Sequence, residues 1–235
     1  MIACIESGIP GFDELTHTDS FMGGIPENTT TLVYGPPKTG KSVFSNQFCY
    51  NGLENQEPCL YITTSQGLET LSMDMNDFNL PVQDYLMDGS LHVIDTMSEI
   101  LEKKIEATDT VVTSEINNPT DLMMKIGSKI NTIRNQTVRF RSVLNSTTTL
   151  LAYNESMLIV RVIKAYLMRV KEAGGTTMLT YTEDSADKIV ETMLKSMVDN
   201  IIRLDGNELQ IEAMKGLRKM KNSYYISKNG ISLEQ

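Results

Sequence analysis

Gly35-Pro36-Pro37-Lys38-Thr39-Gly40-Lys41-Ser42 is the stretch that decides the fold class of this 235-residue chain. Its glycine, lysine and serine spacing is that of a phosphate-binding P-loop. A β-branched apolar run, Thr29 to Tyr34, precedes it, and apolar residues at helical spacing follow it at Val43, Phe44 and Phe48. Because a P-loop needs a strand before it and a helix after it, the motif predicts binding of a nucleoside triphosphate.

The chemistry of such a loop assigns a role to each part of it. Its glycines let successive backbone N–H groups turn toward the β-phosphate, and the following helix adds partial positive charge at its N-terminus. We expect Lys41 to reach the β- and γ-phosphates and the Ser42 hydroxyl to ligate Mg²⁺. The predicted nucleotide-binding set is Gly35, Pro36, Pro37, Lys38, Thr39, Gly40, Lys41, Ser42 and Val43.

Length and composition predict one α/β domain over residues 1–235. No apolar run approaches the ~18 residues that span a bilayer, and the N-terminus lacks a signal-peptide pattern, so a cytoplasmic protein without membrane insertion is expected. Cys4, Cys49 and Cys59 have no disulfide-like or zinc-like spacing and are interpreted as buried free thiols.

The net charge of −9 disfavours sequence-independent binding to nucleic acid, which depends on lysine and arginine. Positive charge is concentrated only near the C-terminus, where acidic residues dilute it. A solvated face is the simplest interpretation of this cluster. Its basic members are Lys215, Arg218, Lys219 and Lys221.

Periodicity predicts alternating strands and helices, and hence a mostly parallel sheet covered on both faces. Ile2 to Pro26 is interpreted as loops, Gly52 as the stop of the P-loop helix, and Met97 to Pro119 has no clean period. Short strand candidates separated by Asp205-Gly206 and Asn229-Gly230 predict antiparallel hairpins at the C-terminus. Further strands are predicted at Pro58 to Thr64, Leu91 to Asp95, Phe140 to Leu144 and Thr176 to Tyr181, and helices at Leu68 to Phe78, after Asn118, through Ile159 to Val170, and through Ile189, Met193 and Met197.

Several motifs in order resemble the KaiC/RadA branch of RecA-type ATPases. The run from Ser7 to Leu15, then Gly23-Gly24-Ile25-Pro26, then the P-loop, resembles the opening of that domain, and the segments around Asp199 to Leu204 and Tyr225 to Ile231 resemble its end. The resemblance covers nearly the whole chain and is closest to single-domain KaiC-like proteins common in archaea. It implies a RecA-like P-loop core, ATP as the nucleotide, and a homo-oligomer that forms rings with ATP between subunits.

Two local differences precede the P-loop. The chain carries an insertion around Thr16 to Met22, and it has Asn28 where the family usually has glycine. Asparagine tolerates positive φ, so we expect the turn to survive.

Three differences fall on the chemistry that the resemblance implies. Ser65 and Gln66 stand where two glutamates commonly follow the second strand. Gln66 is the predicted water-orienting catalytic residue, and it can hydrogen-bond a water without accepting its proton. Asn145 replaces the Walker B aspartate that contacts the Mg²⁺ hydration shell, so Ser42 and Asn145 form the predicted metal site. Exchange of a charged acceptor for an amide weakens that contact by ~1–3 kcal/mol.

The third difference concerns the neighbouring subunit, whose Lys-x-Arg pair faces the γ-phosphate in ring-forming relatives. Here the pair becomes Ala213-Met214-Lys215, so Lys215 is the remaining predicted catalytic cation, and Arg218 is an alternative. Asp95, Glu69 and Glu183 are alternative sources of the missing carboxylate.

Three hypotheses follow. The favoured one is an ATP-binding regulatory or assembly switch with slow or no hydrolysis, because the phosphate cradle is intact and the catalytic set is depleted. The second is a working ATPase of the KaiC/RadA type. The third is a recombinase-like DNA-binding protein that uses the basic C-terminal cluster. No motif identifies a protein partner.

Overall fold

The computed structural model describes residues 2–98, 100 and 107–234. Its strands are β1 (Cys4–Ile5), β2 (Ile25–Pro26), β3 (Thr30–Gly35), β4 (Cys59–Thr63), β5 (Leu91–Asp95), β6 (Val111–Thr113), β7 (Phe140–Asn145), β8 (Gly175–Thr182), β9 (Asn200–Leu204), β10 (Glu208–Ala213), β11 (Met220–Ser227) and β12 (Gly230–Leu233). Its helices are α1 (Phe12–Thr16), α2 (Lys41–Glu54), α3 (Leu68–Asp77), α4 (Gln83–Met87), α5 (Pro119–Arg134), α6 (Thr147–Tyr153), α7 (Ser156–Glu172) and α8 (Lys188–Ser196).

The centre of the fold is a ten-stranded sheet in the order β12-β11-β10-β9-β3-β8-β7-β4-β5-β6. The strands from β9 to β6 in this order pair in parallel, and β10, β11 and β12 extend the sheet as an antiparallel meander. This arrangement confirms the predicted fold class, a mostly parallel sheet with C-terminal hairpins.

The central strands β3, β4 and β7 are buried on both faces of the sheet, which explains their continuous apolar runs. Val33 of β3 packs in the cluster that contains Phe44 and Phe48 of α2. Its neighbour Leu32 packs on the opposite face with Ile163 of α7. Successive side chains of a strand point to opposite faces, so both must be apolar here.

The N-terminal part of the fold differs from the prediction. Residues 2–26, interpreted as loops, contain α1 and the two-stranded sheet of β1 and β2. Each of these strands has only two residues, too few for a periodic signal, and their pairing joins residues far apart in sequence.

The P-loop helix and α8 also differ in detail. Gly52 lies inside α2, which continues to Glu54. In α8 the buried positions are Val190 and Leu194, whereas Ile189, one of the three residues on which the predicted helix is based, is 72% exposed.

The stretch from Met97 to Pro119, for which the sequence predicts no regular element, contains the short edge strand β6. Residues 99 and 101–106 of that stretch lie outside the described residues. Within the described part of the chain, none of the helices combines the length and apolarity needed to cross a bilayer.

Candidate nucleotide-binding site

The P-loop connects the carboxyl end of β3 to the start of α2 and adopts the strained backbone that its glycines allow. Gly35 has φ 148° and Gly40 has φ 91°. A Cβ at Gly35 would collide with the backbone oxygen of Leu204, and one at Gly40 would lie 2.7 Å from Cδ1 of Ile226. Both positions therefore require glycine, and the loop wraps closely against the C-terminal strands.

The C-terminal strands also hold the P-loop through hydrogen bonds. The Tyr224 hydroxyl of β11 donates to the carbonyl of Thr39 at 2.6 Å. The same hydroxyl accepts from the backbone N–H of Gly206 at 2.9 Å. A side chain of the meander thus fixes the middle of the phosphate-binding loop.

Lys41 is 8% exposed and curls back over the loop. Its Nζ donates to the carbonyl of Pro36. Burial lowers the pKa of Lys41 to about 8, and the nearby Glu183 carboxylate opposes that shift. The ammonium lies inside the loop that the sequence predicts will hold the β- and γ-phosphates.

Ser42 and Asn145, the predicted metal pair, contact each other although 103 positions separate them in sequence. Ser42 Oγ donates to Asn145 Oδ1 at 3.2 Å, and Thr180 Oγ1 donates to the same oxygen at 2.7 Å. On its other side, Asn145 Nδ2 donates to the Tyr61 hydroxyl at 3.0 Å, which in turn donates to Asn46 Oδ1 at 2.6 Å. Burial raises the pKa of Tyr61 well above the ordinary tyrosine value, so its hydroxyl stays protonated.

These contacts lie beside a cavity of about 450 Å³ at the mouth of the P-loop. Four apolar side chains contribute to its wall, those of Pro37, Val43, Phe78 and Ile226, and the other lining side chains are polar or charged. Among the described residues that line the cavity, none carries a carboxylate. The lining residues are Pro37, Lys38, Gly40, Lys41, Ser42, Val43, Ser65, Phe78, Asn145, Ser146, Thr180, Thr182 and Ile226.

Most of the predicted nucleotide-binding set faces this cavity. Three members of the set do not line the cavity and belong to the part of the loop that faces away from it: Gly35, Pro36 and Thr39. Thr39 is 5% exposed and its hydroxyl donates to the Pro36 carbonyl at 3.0 Å, which closes the loop on itself.

Oxygen atoms dominate the polar lining near Ser42, and oxygen is the ligand type that Mg²⁺ prefers. Ser42, Asn145, Thr180 and Thr182 each contribute a hydroxyl or amide group to this wall. In the part of the chain that the structure describes, no three His, Cys, Asp or Glu residues are grouped to hold a metal ion. The site therefore fits a cation carried by the phosphates of a nucleotide and touched by Ser42, and does not fit a cation held by protein ligands alone.

Ser65 and Gln66, which replace the two glutamates, differ in position. Ser65 is exposed and lines the cavity, whereas Gln66 is half-buried and is not among the lining residues. The backbone oxygen of Gln66 accepts a hydrogen bond from the Thr63 hydroxyl.

Two of the alternative carboxylates are occupied by structural partners. The Glu183 carboxylate forms a bidentate pair with Arg203, at 3.2 Å from Nε and 3.0 Å from Nη2. Asp95 is fully buried and accepts from the backbone N–H of Leu68 at 2.6 Å and from the Ser98 hydroxyl at 2.7 Å. The third, Glu69, lies on the wall of a different cavity, near β6.

Lys215 and Arg218 lie in the connection between β10 and β11 and are exposed. Neither lines the P-loop cavity of its own chain. The backbone N–H of Lys215 donates to Asn200 Oδ1 at 3.3 Å, which fixes the backbone and leaves the side chain in solvent.

Sequence reasoning missed Tyr61, Asn46, Thr180 and Tyr224 as contributors to this site. No local pattern singles out Asn46, because it lies between the polar residues Ser45 and Gln47 of α2. The others become relevant only because β4, β7, β8 and β11 bring them next to the loop.

A parallel sheet whose first central strand runs through a P-loop into a helix, continued by an antiparallel C-terminal meander, defines a P-loop NTPase of the RecA type. The profile of the family described as "ATPase: KaiC" matches residues 5–229. The chain belongs to this KaiC ATPase family.

Relatives and a solved structure agree with this assignment. A UPF0273 protein of Pyrococcus furiosus is 32% identical over 219 residues, covering 92% of this chain and 84% of the relative. A UPF0273 protein of Thermotoga maritima is 30% identical over 219 residues, covering 92% and 86%. The crystal structure of a KaiC-like protein from Pyrococcus horikoshii superposes with a TM-score of 0.76 at 25% identity and covers all of both chains.

Proposed function

We propose that this protein is an ATP-dependent switch or scaffold that holds ATP and Mg²⁺ in the P-loop cavity and hydrolyses the nucleotide slowly or not at all. The observation that carries the proposal is a contrast within one cavity: the P-loop contributes Gly40, Lys41 and Ser42 to its wall, and none of the described lining residues is a carboxylate.

The proposed binding of ATP is supported by the geometry of the P-loop and by membership in the KaiC ATPase family. Gly35 and Gly40 hold two of the three positive-φ positions of the loop, and Lys38 holds the third. Together with Lys41 inside the loop and Ser42 in the first turn of α2, they supply the groups that a nucleoside triphosphate needs. ATP rather than GTP is proposed because of membership in the KaiC ATPase family.

Slow hydrolysis is proposed because none of the described residues that line the cavity is a carboxylate that could accept a proton from water. Gln66 is half-buried and is not among the residues that line the cavity, and its amide could orient a water but could not take the water's proton. A general base contributes typically ~10²–10⁴ in rate. Glu183 is held by Arg203, and Asp95 is held by backbone N–H groups of its own loop. Lys215 of a neighbouring copy would supply one point charge, without the fork of an arginine.

Occupancy is proposed to control assembly of a homo-oligomer. A single hydrogen bond connects the nucleotide site to the C-terminal meander, because the Tyr224 hydroxyl of β11 donates to the carbonyl of Thr39 in the P-loop. The connection that carries Lys215 and Arg218 belongs to the same meander. A ligand that binds one arrangement of these strands better than another shifts their populations.

A calorimetric titration tests the proposal, using ATP and a non-hydrolysable analogue with and without Mg²⁺, followed by a size measurement of the complex. We expect binding of both nucleotides, a larger particle when nucleotide is bound, and loss of binding in Lys41→Ala. A turnover above about one per second that Lys41→Ala abolishes would contradict the switch.

A working KaiC-type ATPase is the second candidate, and the family description favours it. The double variant Gln66→Glu with Asn145→Asp separates the two. Under the switch proposal, restoring both carboxylates raises turnover by at least about tenfold. A native turnover above about one per second that the double variant leaves unchanged means that the native site was already competent.

A further inference from the structure

The polar chain behind Ser42 has a defined direction. Asn145 Nδ2 donates to Tyr61, and Tyr61 donates to Asn46 Oδ1. All three side chains are at most 3% exposed, so bulk water does not offer alternative partners. The register of β4 and β7 sets Thr63 opposite Asn145, which places Tyr61 on the same face of the sheet as Asn145.

We infer that Tyr61 and Asn46 are positioning residues of the nucleotide site, which hold the Asn145 amide with its oxygen toward Ser42. This inference rests on the proposed binding of ATP and Mg²⁺. It explains how an amide can occupy a position that the family usually gives to aspartate.

The orientation matters because an amide has two different ends and a carboxylate does not. With Oδ1 toward Ser42, the serine hydroxyl gives its proton to Asn145 and keeps its oxygen lone pairs for a cation. With the amide reversed, Nδ2 would donate to the serine oxygen and occupy a lone pair that the cation needs. Aspartate would present an acceptor oxygen in either orientation.

Asn46 decides the direction because a tyrosine hydroxyl has a single proton. The Tyr61 proton goes to Asn46 Oδ1 at 2.6 Å, so only a lone pair of the hydroxyl remains for Asn145. The group that Asn145 turns toward Tyr61 must then be its donor, Nδ2. Thr180 reinforces the choice by donating to Oδ1 from the other side.

The test is a double-mutant cycle with Tyr61→Phe in two backgrounds, the native chain and Asn145→Asp. Calorimetry gives the affinity for a non-hydrolysable ATP analogue in Mg²⁺ and in EDTA, and the ratio of the two is the readout. Loss of a residue that orients a metal-contacting group costs on the order of tenfold in metal affinity. We expect Tyr61→Phe to lower the ratio by about tenfold in the native background and by less than about twofold with Asn145→Asp.

Two further variants separate orientation from packing. Asn46→Ala frees the Tyr61 proton to bond Asn145 Oδ1. It should therefore lower the ratio of the two affinities by about tenfold in the native background, as Tyr61→Phe does, and by less than about twofold with Asn145→Asp. Tyr166→Phe is the matched control, because its hydroxyl is also buried and bonds Ser142 of β7 at 2.6 Å. It should leave the ratio unchanged.

Equal losses of the ratio in both backgrounds would overturn the inference, since they indicate a packing effect. An unchanged ratio in both Tyr61→Phe and Asn46→Ala would overturn it as well. If a thermal melt shows that Tyr61→Phe is not folded, the comparison of Asn46→Ala in the two backgrounds tests the inference instead. Failure of the unmodified protein to bind the analogue in either buffer would contradict the proposed function, and the inference would fall with it.

Discussion

The side-chain amide of Gln47 pairs with both backbone groups of Ile231. Nε2 donates to the Ile231 carbonyl at 3.0 Å, and Oε1 accepts from the Ile231 N–H at 2.7 Å. Gln47 belongs to the P-loop helix and Ile231 to the edge strand β12. One glutamine thus replaces a strand partner and ties the helix that follows the phosphate loop to the end of the sheet.

Gln47→Ala should therefore destabilise the protein by about 2–4 kcal/mol, because it leaves two buried backbone groups without a partner. Urea unfolding measures this change. Gln83→Ala, at an exposed position of α4, is the control and should stay within about 0.5 kcal/mol of the native chain. Equal effects of the two substitutions would show that the Ile231 pair contributes nothing.

Gly52→Ala should destabilise the protein although alanine is the better helix former. A Cβ at Gly52 would collide with Cδ of Arg141, which is 1% exposed and is held by Glu57 at 2.8 Å and by the Phe48 carbonyl at 2.8 Å. We expect a loss of about 1–3 kcal/mol in urea unfolding, because the guanidinium has no room to move.

Gly127→Ala is the matched control for that substitution. Gly127 lies within α5, and a Cβ there would meet only Nη1 of Arg169, at 3.2 Å. Since that atom ends a flexible side chain, the helix-propensity gain of about 1 kcal/mol should prevail. A stabilising effect of Gly52→Ala would contradict the role assigned to Arg141.

The affinity for the ATP analogue should fall as the pH rises through about 8, the pKa to which burial lowers Lys41. Phosphates bind the ammonium form, so binding between pH 8 and 9 should take up a proton, measurable by calorimetry in two buffers of different ionisation enthalpy. Lys41→Arg keeps the charge at these pH values and should remove the dependence. Affinity that is flat to pH 9.5 in the native protein would contradict the pKa shift.

The same pKa shift has a definite sign for folding. Unfolding returns Lys41 to the ordinary value of 10.5, so between about 8 and 10.5 the unfolded chain binds more protons than the folded one. The Lys41 contribution to the free energy of unfolding therefore rises with pH in this window. It is lost as the pH falls through about 8.

Asp95→Asn should act on stability and leave any slow turnover unchanged per folded molecule. The Asp95 carboxylate accepts from the N–H groups of Met97 at 2.8 Å and Ser98 at 2.9 Å, besides Leu68 and the Ser98 hydroxyl. An amide would turn a donor toward some of these donors, at a cost of about 2–4 kcal/mol in urea unfolding.

Asp77→Asn, at the exposed end of α3, serves as the control and should change stability by less than about 0.5 kcal/mol. Loss of turnover with unchanged stability in Asp95→Asn would instead identify Asp95 as the water-activating base.

Most of the sheet could be predicted because its central strands are buried on both faces and so appear as unbroken apolar runs. β5 begins and ends where predicted, at Leu91 and Asp95, and α5 begins after Asn118, whose side chain accepts from the N–H of Asp121. β6 could not be predicted, since three residues carry no period and form a strand only by pairing with β5.

In the nucleotide site, as in the sheet, local features could be predicted from the sequence and contacts between distant segments could not. The P-loop is contiguous, so its spacing alone indicates a phosphate cradle. Gln66 and Asn145 were recognised as replacements only through the family resemblance. Glu183, the residue that follows β8, pairs with Arg203 of β9, which lies 20 positions away in sequence, and no local pattern marks this pair.

The sequence by itself determined the class of this protein, because the P-loop, the apolar strands and the C-terminal turn signals are local features that depend on neighbouring residues only. The tertiary structure alone decided which groups surround the loop: it set Tyr61 and Asn46 behind Asn145, and Gln47 against Ile231. Hydrogen-bond direction depends on partners that the sheet order brings together from distant segments. For that reason the orientation of the Asn145 amide follows from the assembled fold and not from any stretch of the chain.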